Sequence, residues 1–236
     1  MLISGLQKLS LVDYPGKVAC TVFTGGCNLR CPWCHNSELI KNPPRLMSDL
    51  ELLSFLESRS RVLDGVCISG GEPCIHEDLP DLLSLIKALG FAVKLDTNGM
   101  FPDLLSHILE EHLIDYAAVD IKNSPNRYAA TVGLKTIDLA PILESLGLLL
   151  GSGIDFELRT TVVLPFHDNQ SLHAIAGMLY PITQKTGRLF PHYYLQPFVD
   201  RDTVAFSGMC APSDIEVKTW SNSLKIVTNH VDVRNI

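Results

Sequence analysis

The chain has 236 residues, 46% apolar and 19% charged, which is a globular composition with enough apolar side chain for a full core. A net charge of −7 without a dense Lys/Arg block argues against a nucleic-acid surface, and no apolar run is long enough to span a membrane. Residues 1–4 lack the basic-then-apolar order of a signal peptide, and seven cysteines in so long a chain read as thiols in a reduced, cytoplasmic compartment.

Taken in order, residues 11–16 end in Tyr14-Pro15-Gly16, a turn signal. Residues 17–24 are β-branched and apolar and predict a first strand, followed by Gly25-Gly26 and a cysteine-bearing loop. Ser48 and Glu51 have the spacing of a capping box and open a helix. A short strand over 65–69 stops at Gly70-Gly71, and apolar spacing predicts a helix over 78–89 that Gly90 ends. The alternation continues with a strand at 91–96, a helix at 102–111, a strand at 114–121 and a helix at 137–150 closed by Gly151. Next come a strand at 156–164, a helix at 171–180, a strand at 192–195, a helix at 213–223 and a terminal strand at 225–228. Strand–helix alternation at this pitch means parallel βαβ units. With no linker or repeat, the expectation is a single α/β domain over 1–236, an open or partial barrel of six units.

The stretch from Cys27 to Asn36 holds three cysteines, Cys27, Cys31 and Cys34, at C-x3-C-x2-C, with no fourth nearby. A cubane [4Fe–4S] cluster normally takes four thiolates, one per iron, so three leave one iron open. An open iron can be chelated by the amino and carboxylate groups of a methionine moiety, and the hard chemistry then belongs to the cofactor. The alternatives are a structural zinc loop that uses His35 as a fourth ligand, or plain buried thiols. Zinc knuckles favour paired C-x2-C units or a distant Cys/His pair, which the chain lacks.

In barrel-type α/β folds the working residues collect at the C-terminal ends of the strands. Here those ends carry Ser69-Gly70-Gly71-Glu72-Pro73, Asp96-Thr97-Asn98-Gly99, Asp120-Ile121-Lys122, Arg159-Thr160-Thr161 and Gln196-Pro197-Phe198. Glu72 is placed to meet a ligand ammonium. Each cluster alone reads as a turn or a helix cap; five in register around one mouth read as a site.

The cysteine loop, with Trp33 before its third cysteine, and the Gly-Gly-Glu after the second strand resemble the radical S-adenosylmethionine superfamily. The stretch Val12 to Gly16, the Cys34-His35-Asn36 ending, Ser69 to Pro73, Asp96 to Gly99 and Asp120 to Lys122 resemble its glycyl-radical-enzyme activases. The nearest branch is that of the anaerobic ribonucleoside-triphosphate reductase activating proteins. The resemblance covers about residues 5 to 165 and implies a radical SAM type of partial (β/α)6 barrel.

It further implies that Cys27, Cys31 and Cys34 hold the cluster and that Trp33 and His35 line the adenine side of S-adenosylmethionine. Gly70, Gly71 and Glu72 would meet the methionyl amino group, with Asp96 and Thr97 near its carboxylate and Asp120 and Lys122 facing the same pocket. A sodium or potassium ion framed by the two aspartates is implied too. The partner would be a glycyl radical enzyme and the electron donor a flavodoxin or ferredoxin.

Departures are Phe198, where related activases carry a histidine, and Cys74, where a threonine is usual. Cys74 reads as a packed thiol, Cys20 and Cys67 as core, and Cys210, in a polar tail, is unexplained. The rival reading is a small-molecule radical enzyme such as a 7-carboxy-7-deazaguanine synthase, in which Asp-Thr usually follows the third cysteine.

Overall fold

The structure, a computed structural model, describes residues 1–41, 43–204 and 206–234. The chain packs as two compact units, the first of residues 1–28 and 36–118, the second of 29–35 and 119–236.

In the first unit β1 (Ile3–Ser10) runs antiparallel to β2 (Ala19–Thr24), which pairs in parallel with β3 (Gly65–Gly70), which pairs in parallel with β4 (Ala92–Thr97). Short α1 (Glu38–Lys41) and then α2 (Asp49–Arg59) connect β2 to β3; α3 (Leu79–Ala88) connects β3 to β4, and α4 (Pro102–Glu110) follows β4. Val22, Val66, Ile68, Val93 and Leu95 are fully buried, as expected of parallel strands covered on both faces. On α3 the buried Leu79, Leu82, Leu83 and Ile86 recur at helical spacing and form its inward face. The capping box is present: the Ser48 hydroxyl accepts from the Glu51 N–H, and the Glu51 carboxylate accepts from the Ser48 N–H.

β5 (Tyr116–Asp120) lies across the unit boundary. The second unit contains α5 (Pro125–Thr131), α6 (Ala140–Ser152), β6 (Asp155–Val162), α7 (Asn169–Thr186), β7 (Phe190–Pro197), α8 (Asp214–Ser221) and β8 (Thr228–Val233). β6, β7 and β8 pair in parallel.

The α/β class and the parallel alternation are as the sequence predicts: among the described residues β2 to β7 each lead into a helix, the six expected units, with β1 before them and β8 after. β1 was not expected, because its apolar residues are broken by Gly5, Gln7 and Lys8. Of the residues predicted as a terminal strand at 225–228, Lys225 and Ile226 lie in a 3-10 turn, Asn222–Ile226, and Thr228 opens β8. Gly151 does not stop α6; Gly153 does, at φ +82, where glycine carries no side-chain penalty. α7 runs past its predicted end and through Pro181 to Gly187. Among the described residues no helix is long and apolar enough to cross a membrane.

Candidate cluster and cofactor site

In the first unit β2 runs into Gly25-Gly26 and Cys27, and the end of β3 packs on that segment. The Gly71 N–H donates to the Thr24 carbonyl at 2.9 Å and the Glu72 N–H to the Gly26 carbonyl at 2.8 Å. Gly70 sits at φ +121, and a Cβ there would lie 2.2 Å from the Thr24 nitrogen. A Cβ on Gly71 would lie 1.8 Å from the Gly26 oxygen. The paired glycines therefore let two backbones touch beside the first cysteine. Two asparagines add to the joint: Asn36 Nδ2 donates to the Gly70 carbonyl at 3.0 Å, and Asn98 Nδ2 to Asn28 Oδ1 at 2.7 Å.

The Glu72 side chain is taken up within the protein. It is 1% exposed. Its Oε1 accepts from the Cys74 N–H at 3.0 Å and the Thr97 hydroxyl at 2.7 Å, and its Oε2 from the Asn98 N–H at 2.7 Å. Burial pushes its pKa up and those donors oppose the rise. The carboxylate thus ties the tip of β3 to the tip of β4, with Thr97, also buried, as part of the tie. Glu72→Gln is expected to leave at least one of the three donors without an acceptor and to lower stability by about 1–3 kcal/mol. Chemical unfolding of the apoprotein measures this, and an unchanged midpoint would remove the carboxylate from the tie.

Asp96 leans on Lys94, two residues before it on the same side of β4. The Lys94 ammonium is paired with Asp96 Oδ1, and Ser69 Oγ donates to Oδ2 at 3.1 Å. Lys94 is 1% exposed. Sequence reading passed over it, although a lysine between Val93 and Leu95 in a buried strand, two before an aspartate, is a legible signal. Cys20, Cys67 and Cys74 are buried, as expected of packed thiols.

In the second unit Cys31 and Cys34 bracket a tight turn closed by the Cys34 N–H on the Cys31 carbonyl at 3.2 Å. Trp33 between them is 4% exposed and packs with Val163 and Phe198, its ring 4.9 Å from that of Phe166. His35 is half-buried, stacks on Phe198 at 5.7 Å, and holds the Val199 carbonyl at 2.7 Å through Nε2. A carbonyl only accepts, so Nε2 carries the proton; burial lowers the His35 pKa and keeps the ring neutral.

Asp120 ends β5 with two cations on it: Lys122 Nζ lies 2.9 Å from Oδ2 and Arg159 Nε 2.9 Å from Oδ1. Burial alone would raise the Asp120 pKa, but the charges of Arg159 and Lys122 hold it below the usual carboxylate range. Burial would likewise lower the Lys122 pKa, but Asp120 first and the Cys31 thiolate next raise it above the ordinary lysine value.

Residues 21–179 match the radical SAM superfamily model. The chain belongs to the radical SAM superfamily. A Methanocaldococcus jannaschii protein with the provisional name glycyl-radical enzyme activating enzyme is 30% identical over 100% of this chain and 96% of its own length. The pyruvate formate-lyase-activating enzyme of Clostridium pasteurianum is 33% identical over 51% of this chain and 52% of its own. Among solved structures, a radical SAM methyltransferase from Sphaerobacter thermophilus aligns with a TM-score of 0.71. It is 17% identical and covers 96% of this chain and 68% of its own, which establishes the fold.

A radical SAM enzyme implies a [4Fe–4S] cluster and S-adenosylmethionine, and the residues fit. Cys27, Cys31 and Cys34 are half-buried, and none of them is in a disulfide. The Lys122 side chain interacts electrostatically with Cys31. Among the described residues no three His, Cys, Asp or Glu side chains gather around a single ion. A cubane asks for something else, one thiolate on each of three separate irons. For the implied sodium or potassium ion the residues fit less well. Asp96 is already paired with Lys94, and Asp120 with Lys122 and Arg159.

Proposed function

We propose that this radical SAM enzyme is a glycyl-radical-enzyme activase whose partner is the anaerobic ribonucleoside-triphosphate reductase. The observation that carries the activase reading is the end-to-end likeness to a relative of that name, 96% of whose length is matched. The Val12–Gly16, Cys34–Asn36, Ser69–Pro73, Asp96–Gly99 and Asp120–Lys122 motifs support the same reading, and the reductase-activating branch is the one they resemble most.

In this reading 1–236 is one radical SAM domain acting in the cytoplasm, with a flavodoxin or ferredoxin as electron donor. Cys27, Cys31 and Cys34 hold the cluster and leave one iron for the methionyl group. Held there, the cluster would supply the electron for reductive cleavage of S-adenosylmethionine, and with it the radical chemistry that would remove hydrogen from the partner's glycine. The backbone carbonyls at Gly70, Gly71 and Glu72, each with two lone pairs, receive the methionyl ammonium in place of the Glu72 side chain. Asp96 and Asp120 stay paired with their own cations, with Lys122 and Arg159 presenting positive charge to the methionyl carboxylate. Neutral His35 gives the adenine an uncharged, flat neighbour.

The test is electron paramagnetic resonance on the reduced, reconstituted protein with S-adenosylmethionine. Alone it should form 5′-deoxyadenosine slowly; with the anaerobic reductase it should produce a glycine-centred doublet. No doublet with that reductase, but one with another glycyl radical enzyme, would move the partner assignment. Turnover of a deazaguanine precursor with no doublet from any such enzyme would hand the site to the small-molecule reading.

A further inference from the structure

Glu157 and Arg159 are two apart on β6 and so share a side of the sheet. Opposite them on β7 stand His192 and Tyr194, and Tyr194 faces Asp232 of β8. Glu157 is wholly buried. A carboxylate in that position needs a cation, because an uncompensated buried charge is strongly destabilising. Two guanidiniums are within reach. Arg234, just past β8, forms a bidentate pair with it, Nη1 to Oε1 at 2.8 Å and Nη2 to Oε2 at 2.9 Å. Arg159 Nη1 stands farther off, 4.0 Å from Oε1. Arg234 is itself fixed: its guanidinium lies 3.5 Å over the Tyr194 ring, and its N–H donates to the Leu195 carbonyl at 2.9 Å. The charges thus alternate in sequence, Lys122, Asp120, Arg159, Glu157, Arg234, and Arg159 lies between two carboxylates that could both claim it.

We propose that Arg234 is a positioning residue for the cofactor pocket: by saturating Glu157 it leaves the Arg159 guanidinium committed to Asp120. Without Arg234 the buried Glu157 draws Arg159 to itself, and Asp120 is left with Lys122 as its cation. Arg234 and Glu157 would then touch no ligand and act through Arg159. The consequence for binding rests on the reading of Asp120 and Lys122 as part of the S-adenosylmethionine site.

The experiment compares wild type with Arg234→Ala, Glu157→Gln, the double variant and Asp120→Asn, all full-length and reconstituted. It reads S-adenosylmethionine affinity and iron content, together with the Arg159 Nε–Hε resonance in spectra of arginine-labelled protein. Arg234→Ala should weaken binding about tenfold, the worth of one charge-assisted hydrogen bond, with iron unchanged. The double variant should return to within about twofold of wild type, because removing the competing carboxylate frees Arg159 again. The Arg159 resonance should move in Arg234→Ala and return in the double variant. Where Arg234→Ala does not fold, Arg234→Lys, which keeps the charge and loses the bidentate pair, is read the same way. A double variant as weak as the single one, or an Arg159 resonance that does not move, overturns the proposal. If Asp120→Asn leaves affinity unchanged the pocket reading fails, and the resonance alone then decides whether Arg234 positions Arg159.

Discussion

Alanine at Cys27, Cys31 or Cys34 is expected to take the reconstituted protein from about four irons per chain to essentially none. In the proposed cluster each thiolate would hold a different iron, so no neighbour could stand in for the one removed. The same substitution at Cys20 or Cys67 should leave iron content unchanged. Both thiols are fully buried in β2 and β3, and burial pushes the Cys20 thiol up to about 12, far from the thiolate a metal requires. Cys210→Ala, at an exposed thiol, should also be silent for iron. Iron analysis under anaerobic conditions decides the matter. Retained iron in any of the three loop variants, or stoichiometric zinc with no uptake of iron, would sink the cluster assignment.

Gly71→Ala should have the next largest effect. A methyl there would sit 1.8 Å from the Gly26 oxygen and 2.7 Å from its carbonyl carbon, so backbone must move rather than a flexible side chain. The segment displaced is the one that leads into Cys27, and the Glu72 N–H bond to Gly26 moves with it. The expected cost is about 3 kcal/mol or more, at the upper end for overpacking, accompanied by loss of iron. Gly147→Ala is the control. It lies within α6 with nothing within 4 Å of the added carbon, and should stabilise by about 0.5–1 kcal/mol through helix propensity. Denaturant unfolding of the two variants should therefore shift in opposite directions. A Gly71→Ala protein with wild-type midpoint and iron would mean that the two backbones are not in contact.

The features legible in the sequence were those written in neighbouring residues. Apolar runs separated by helical spacing gave the βαβ order, three cysteines within eight residues gave the loop, and Gly70-Gly71 marked a strand end. Pairings between distant positions were not legible. Glu72 reads as a ligand contact until Thr97 and Asn98 are found on its oxygens. Arg234 reads as a tail residue until it is found on Glu157, 77 positions earlier. Trp33 beside two cysteines looks like a cofactor ring, yet Val163, Phe166 and Phe198 enclose it. The sequence marks polar residues at strand ends but does not separate those that brace the site from those that meet a ligand.

The lysines at Asp96 and Asp120 are counter-ions that cannot diffuse away. A cation tethered to the same chain is present at an effective concentration set by covalent geometry rather than by the medium. The ionic make-up of the buffer should then have little purchase on these two carboxylates. Replacing potassium or sodium chloride with choline chloride at constant ionic strength is expected to leave S-adenosylmethionine affinity where it was. With Lys94 shortened to alanine, the vacancy beside Asp96 should make binding sensitive to which alkali cation is supplied. A wild-type protein whose affinity falls in choline would show that the chain does not carry its own salt.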